Sequence, residues 1–379
     1  MKIVTAIDSF KGSMTSLDAG QAVANALAAV DPSSSAEIRP LADGGEGTVD
    51  ALVFGMNGHF EKANVTGPLG EQLACQYGII PETKTAIVEM SSAAGITLIP
   101  GSSRNPLYTT TYGVGELLCD AISKGCRRFI IGIGGSATND GGVGMLQALG
   151  FDFLDSNGNP VSFGAKGLKD LSEIKCNRVL PELAECTFHV ACDVTNPLCG
   201  VNGCSAVYGP QKGADAKMIE DMDMWLAHYA DLAKVQFVNA DAQYPGTGAA
   251  GGMGFAFLTF TNAVLESGID IVLKETNLEE YIADADLVIT GEGRLDFQTS
   301  MGKAPVGVAK LAKKYGKPVI AFAGSVTADA TECNKNGIDA FFPIIRGITT
   351  LEEAMKPEVA KFNLSATAEQ VFRLWYAAK

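Results

Sequence analysis

The chain is poor in histidine, in paired cysteine and in positive charge. Its 379 residues hold three histidines, His59, His189 and His228, and nine cysteines without a CxxC pair. The nearest pair, Cys199 and Cys204 in CGVNGC, matches no common zinc spacing. An odd number of cysteines without a framework fits a reducing compartment, in which cysteine serves as a small buried hydrophobe. Lys and Arg number 29 against 43 Asp and Glu, a formal net charge of −14. Nucleic acid and anionic membranes are repelled by such a surface, so neither is expected as a partner. The start MKIVTAIDSFKGS lacks the apolar core and cleavage site of a leader, so a cytoplasmic location is expected. Residues 242–265 carry no charge and are long enough to span a bilayer, but glycines, Gln243, Pro245 and Asn262 interrupt them. That stretch reads as a glycine loop running into a buried helix. A solenoid repeat and a Walker loop, GxxxxGK[ST], are both missing.

What is present is apolar material and glycine. Hydrophobic residues make up 47% of the chain and the 43 glycines are spread along it, enough for two cores with many tight turns. KIVTAI, EIRPLA, DLVITGEGR, KPVIAFAGS and DAFFPII read as strands, with SLDAGQAVANALAAV and KAPVGVAKLAKKYG as helices between some of them. Such β-α-β units predict one doubly wound parallel sheet built from both chain ends. The middle differs: residues 60–92 alternate short strand-like runs with turn signals, which predicts antiparallel pairing. The expected organisation is therefore a discontinuous α/β domain, 1–59 and 283–379, with an inserted α/β domain, 60–282, on a mixed sheet.

Ligands of doubly wound sheets sit beyond the carboxyl ends of the strands. Those ends carry Asp8 and Lys11, then Asp43 and Glu46, then Glu292, Arg294 and Asp296. In the inserted segment they carry Gly134, Gly135, Ser136, Thr138 and Asn139 after one strand, and Asp193 after another. Acids with a few counter-charges suit phosphoryl transfer, in which Mg²⁺ uses one or two carboxylates and the transferred group needs positive partners. The expected metal ligands are Glu292, Asp296 and Asp43. Asp193 is the preferred base, with Asp8 the alternative, and Lys11 is a phosphate or carboxylate partner. The glycine loop and Arg294 are expected to hold a nucleotide.

Blander readings stand beside these. Asp43 and Glu46 have capping-box spacing, Asp193 can simply open the TNP turn, and a threonine of RNPLYTTTYGVGELL caps the helix after it. Lys212 and Lys303 read as solvent-facing. Gly132–Ala137 matches the loose fingerprint GxGxxG/A, and the run PGTGAAGGMG suits either an anion or close packing.

In order, DSFKGS, LADGGEGTVDAL, RNPLYTTTYGVGELL, IGIGGSATNDGGVGMLQALG, ACDVTNPLCG, YGPQKGA, GAAGGMG and VITGEGRLDFQT resemble the bacterial type I glycerate kinase family, over residues 3 to about 325. The resemblance implies ATP- and Mg²⁺-dependent phosphorylation of D-glycerate, usually on the 2-hydroxyl. It implies a flavodoxin-like domain, an inserted domain similar to restriction-endonuclease cores, and an active site in the cleft between them. Monomer and homodimer both remain open. Two rivals are a nicotinamide-dependent hydroxy-acid dehydrogenase, suggested by the fingerprint, and a non-catalytic binder of small acids.

Overall fold

The computed structural model describes residues 1–378. It divides into two compact units, the first made of Met1–Asp43, Asp50–Met56 and the chain from Ile269 on, the second of Gly44–Val49 and Asn57–Gly268. In chain order the strands are β1 (Lys2–Ile7) and β2 (Ser35–Ile38), then β3 (His59–Thr66), β4 (Gln72–Ile80), β5 (Thr85–Glu89) and β6 (Arg128–Gly132). They continue with β7 (Asp152–Leu154), β8 (Glu173–Lys175), β9 (Thr187–Ala191) and β10 (Ala263–Glu266), and close with β11 (Leu287–Leu295), β12 (Val319–Val326) and β13 (Ala340–Pro343).

The first unit is a five-stranded sheet in the order β13-β12-β11-β1-β2, parallel throughout. Counted along the unit, that is the 2-1-3-4-5 order of the flavodoxin-like fold. β1 and the first half of β11 are continuous buried runs, as a strand covered on both faces must be, whereas the outer strands β2 and β13 are only half-buried. Ile3, Ile7, Ile289 and Phe322 pack with helices Ser16–Val30 and Pro357–Ala377 through Val23, Leu27, Leu364 and Phe372. Val4 and Val288 alternate with them and belong to the opposite face, where helix Ala304–Lys314 packs on β1 and β11. Helix Ser16–Val30 starts where its sequence says, with the Thr15 side chain accepting from the Asp18 amide.

Residues 269–282, read from sequence as the end of the inserted segment, fold with the first unit. Ile269, Val272, Leu278 and Ile282 are all buried there, and Ile269 lies against Gly307 of helix Ala304–Lys314, where a Cβ would meet its Cγ1 at 2.8 Å. The periodicity of two short helices says which face is apolar, not which core receives it.

The second unit is a mixed six-stranded sheet in the order β10-β9-β6-β5-β4-β3. β10, β9, β6 and β5 run parallel, and β4 and β3 add antiparallel pairs, the pattern expected from the turn-rich stretch at 60–92. Phe129 and Phe188 stack at 4.9 Å between ring centroids on neighbouring β6 and β9, and helices Tyr112–Ser123 and Met253–Phe260 bury their apolar residues in the same core. A two-stranded β7-β8 pair lies outside the main sheet. No helix among the described residues is long and apolar enough to cross a membrane.

Candidate active site

Strand order in the first unit reverses between β1 and β11, so the crevice beyond their carboxyl ends is where a doubly wound sheet binds its ligand. Ile7 is in register with Gly291, and the Asp8 amide continues the ladder by donating to the Gly291 carbonyl at 2.9 Å. Asp8 thus ends one strand beside Glu292 on the other. The chain then turns tightly: Phe10 bridges Met14 and Gly12 takes φ +76°, a left-handed conformation natural to glycine. Lys11 stands at the tip of that turn.

A cavity of about 390 Å³ opens over these ends, lined by Asp8, Lys11, Asp43, Glu292, Arg294 and Asp296, with Lys303 beside them. All six first-unit residues named from sequence therefore meet in one place. Ser9 and Ser13 are also among its lining residues, and their Oγ atoms are buried without a partner. Buried hydroxyls of this kind ordinarily find an acceptor.

Electrostatics follow from crowding. Burial, then the charge of Asp43, push the Asp8 carboxyl up to about 7, against the opposing pull of Lys11. Burial also raises Glu292, opposed by the Thr299 hydroxyl, which donates to Glu292 Oε1 at 2.6 Å. Desolvation works against the charge on Lys11, but Asp43 and Asp8 outweigh it and leave its ammonium above the ordinary range. The Lys11 Nζ donates to Asp43 Oδ2 at 3.3 Å. The cavity thus holds a protonatable carboxyl, the Lys11 ammonium and two further cationic side chains, Arg294 and Lys303.

Hard carboxylate oxygens are the right donors for Mg²⁺, which ordinarily takes only one or two of them and completes its shell with phosphate and water. Asp43 and Glu292 fit that role. Asp296 is already engaged: its Oδ1 accepts from the amides of Gln298 and Thr299 in a capping box, and its Oδ2 lies 3.5 Å from Arg294 Nε. Among the described residues no three His, Cys, Asp or Glu side chains are grouped as metal ligands. The capping box expected at Asp43 is not formed, because the helix begins only at Thr48, five residues on.

The glycine loop of the second unit has a different use from the one its sequence suggests. Gly141 and Gly142 both take positive φ, at +67° and +74°, and the helix that follows, Val143–Ala148, has only six residues. Its first amides do not wait for a phosphate. The buried carboxylate of Asp140 accepts from the amides of Gly142 and Gly144 and from both the amide and hydroxyl of Thr111. The Thr111 hydroxyl in turn accepts from the Met145 amide, so the threonine binds this loop rather than capping its own helix. Burial raises the pKa of Asp140, and those same donors oppose the shift.

Thr138 and Asn139 are fully buried and point inward; the Asn139 amide donates to Ser205 Oγ at 2.9 Å. Gly134 and Gly135 form the exposed tip, and Ser136 is 8% exposed in a bridge to Gly95. Lys212 is no solvent-facing residue: it is 2% exposed, its Nζ donates to the Thr138 carbonyl at 2.7 Å, and burial lowers its pKa to about 8. Small neighbours in YGPQKGA gave no apolar pattern to announce that burial. The second glycine run serves packing, since a Cβ on Gly252 would come within 2.7 Å of Gly141 Cα, and one on Gly251 would strike the Thr138 carbonyl. Asp193 is exposed after β9 and accepts from the Gly268 amide at 3.1 Å. The dinucleotide fingerprint lacks the helix that must open directly after its glycines.

A family model for the glycerate kinase family matches residues 3–376. The chain belongs to that family. It is accordingly an enzyme, a kinase. Its relatives include the glycerate 2-kinase of Escherichia coli (strain K12), 49% identical over 94% of this chain and 93% of that one. A glycerate kinase of Halalkalibacterium halodurans is 47% identical over 98% of each chain. A crystal structure from Salmonella typhimurium LT2, bearing a name of the same family, matches with TM-score 0.90 and 46% identity over 100% of this chain and 99% of its own. The dehydrogenase rival has no support among these relatives.

Sequence reading missed part of the lining of the kinase's cavity. Ser325, Ile344, Ile345, Leu351, Met355 and Asn363 contribute to it, and they come from scattered positions near the C-terminus with no motif among them. For Ser9 and Ser13 a signal existed, as both flank Lys11 in DSFKGS.

Proposed function

We propose that this kinase transfers the γ-phosphoryl group of ATP to the 2-hydroxyl of D-glycerate. The observation that carries the reading is the convergence of Asp8, Lys11 and Glu292 at the β1/β11 switch point, in a chain whose E. coli relative is named for the 2-kinase activity. Both substrates are anions approaching a protein of net charge −14, so local cations must outweigh the long-range field.

Lys11, Arg294 and Lys303 meet the phosphates. Asp8, poised near neutrality, takes the proton of the attacking hydroxyl. An oxygen–phosphorus bond forms at C2 of glycerate while the bond between the γ-phosphorus and the β–γ bridging oxygen breaks, and ADP leaves with that electron pair. Asp43 and Glu292 would hold Mg²⁺, which would supply neutralisation of charge on phosphate oxygens. In this reading Asp8 replaces Asp193 as the favoured base, because it is buried in the cavity and Asp193 is exposed. Gly134 and Gly135 keep a role as the exposed tip of their loop, with Ser136 buried beside them. Thr138 and Asn139 act only by holding that loop in shape.

The test is phosphorus NMR of the product formed from ATP, Mg²⁺ and D-glycerate. A doublet, from a phosphate on a carbon bearing one hydrogen, is expected. A triplet would mean the 3-hydroxyl is the acceptor, and no organic phosphate at all would overturn the substrate assignment.

A further inference from the structure

The cavity of the first unit has a lining of two kinds. Beside the charged strand ends it is lined by the apolar side chains of Ile344, Ile345, Leu351 and Met355, and by Gly293 and Gly324. Gly324 sits so close to its neighbour strand that a Cβ would meet the Gly293 carbonyl at 2.5 Å and Phe10 Cδ1 at 3.5 Å. Part of the apolar lining lies open to solvent: Ile345 is 40% and Leu351 75% exposed. A three-carbon hydroxy acid fills only a fraction of about 390 Å³ and gives that lining nothing to bury. A lining both charged and apolar suits a ligand that is itself two-ended.

Given the kinase reading, on which this inference rests, we propose that the apolar lining of the cavity receives the base of the nucleotide donor, with the triphosphate running towards Lys11. Asn363 also lines the cavity, from helix Pro357–Ala377, and no hydrogen bond of its side-chain amide occurs among the described residues. An amide offers one donor and one acceptor in a plane, the complement of a purine edge. The base thus covers Leu351 and Ile345, and Asn363 fixes its orientation.

Calorimetric titration with ATP and, separately, with inorganic tripolyphosphate tests the assignment, both with Mg²⁺. The double variant Ile345→Ser/Leu351→Ser alters two exposed positions, and Asn363→Leu alters the edge contact alone. The expected result for each is a Kd for ATP raised about tenfold or more, with the Kd for tripolyphosphate and the KM for glycerate unchanged. Equal weakening of ATP and tripolyphosphate, a shift in the glycerate KM instead, or no change in ATP binding would each overturn the proposal. If ATP binding responds as expected and glycerate is not phosphorylated, the substrate reading fails while the nucleotide site stands.

Discussion

Asp8 concentrates the cost and the use of this site in one residue. An aspartate in an unfolded chain titrates near 4, and here burial and the Asp43 charge raise it to about 7. The folded state therefore holds the proton more tightly, so the stability linked to Asp8 is full below about pH 4 and is lost as pH rises through 7, on the order of a few kcal/mol. Asp8→Asn removes that loss. In metal-free protein, thermal melting of Asp8→Asn at pH 8 should exceed that of the parent, and the difference should vanish near pH 4. Its kcat should fall by about two to four orders of magnitude, the usual range for an acid–base group. A variant that is neither more stable at pH 8 nor slower would remove Asp8 from the cavity's chemistry. Asp8 and Lys11 were legible from sequence because a charged pair directly after a first buried strand has few structural uses; whether Asp8 or Asp193 is the base was not, since burial depends on what the fold lays over each.

At the scale of elements, the strands read well and the loops did not. β1, β11 and β12 announce themselves as apolar runs buried in a parallel sheet, and the turn signals of residues 60–92 mark the antiparallel β3 and β4. The loop after β6 misled because glycine says that backbones come close without saying to what. Here the amides of Gly142 and Gly144 meet Asp140 of the same loop, and Gly251 and Gly252 meet Thr138 and Gly141. Asp140 is 1% exposed and satisfies four donors. Its removal strands them all in the interior, and Asp140→Ala should destabilise the second unit by about 3–5 kcal/mol, the range for breaking a buried charged network. Urea unfolding followed by hydrogen exchange of residues 128–148 measures this. A change below about 1 kcal/mol would mean that water replaces the carboxylate, and the loop would return to the set of candidate anion sites.

At the scale of the molecule, an acidic chain handling two acidic substrates works by local arrangement. Its surplus of carboxylates does not preclude anion binding where Lys11, Arg294 and Lys303 gather over Asp8, Asp43 and Glu292. The charged lining of that cavity was visible in sequence as a list of strand ends. The apolar lining was not, because Ile344 follows β13, Leu351 and Met355 belong to the short helix Leu351–Ala354 and its end, Asn363 lies on helix Pro357–Ala377, and no local pattern joins them. The most direct test of the account is steady-state glycerate phosphorylation by Lys11→Ala, whose side chain is 55% exposed and carries no core packing. The account predicts turnover reduced about a thousandfold with an unchanged circular dichroism spectrum; turnover within a few-fold of the parent would contradict it.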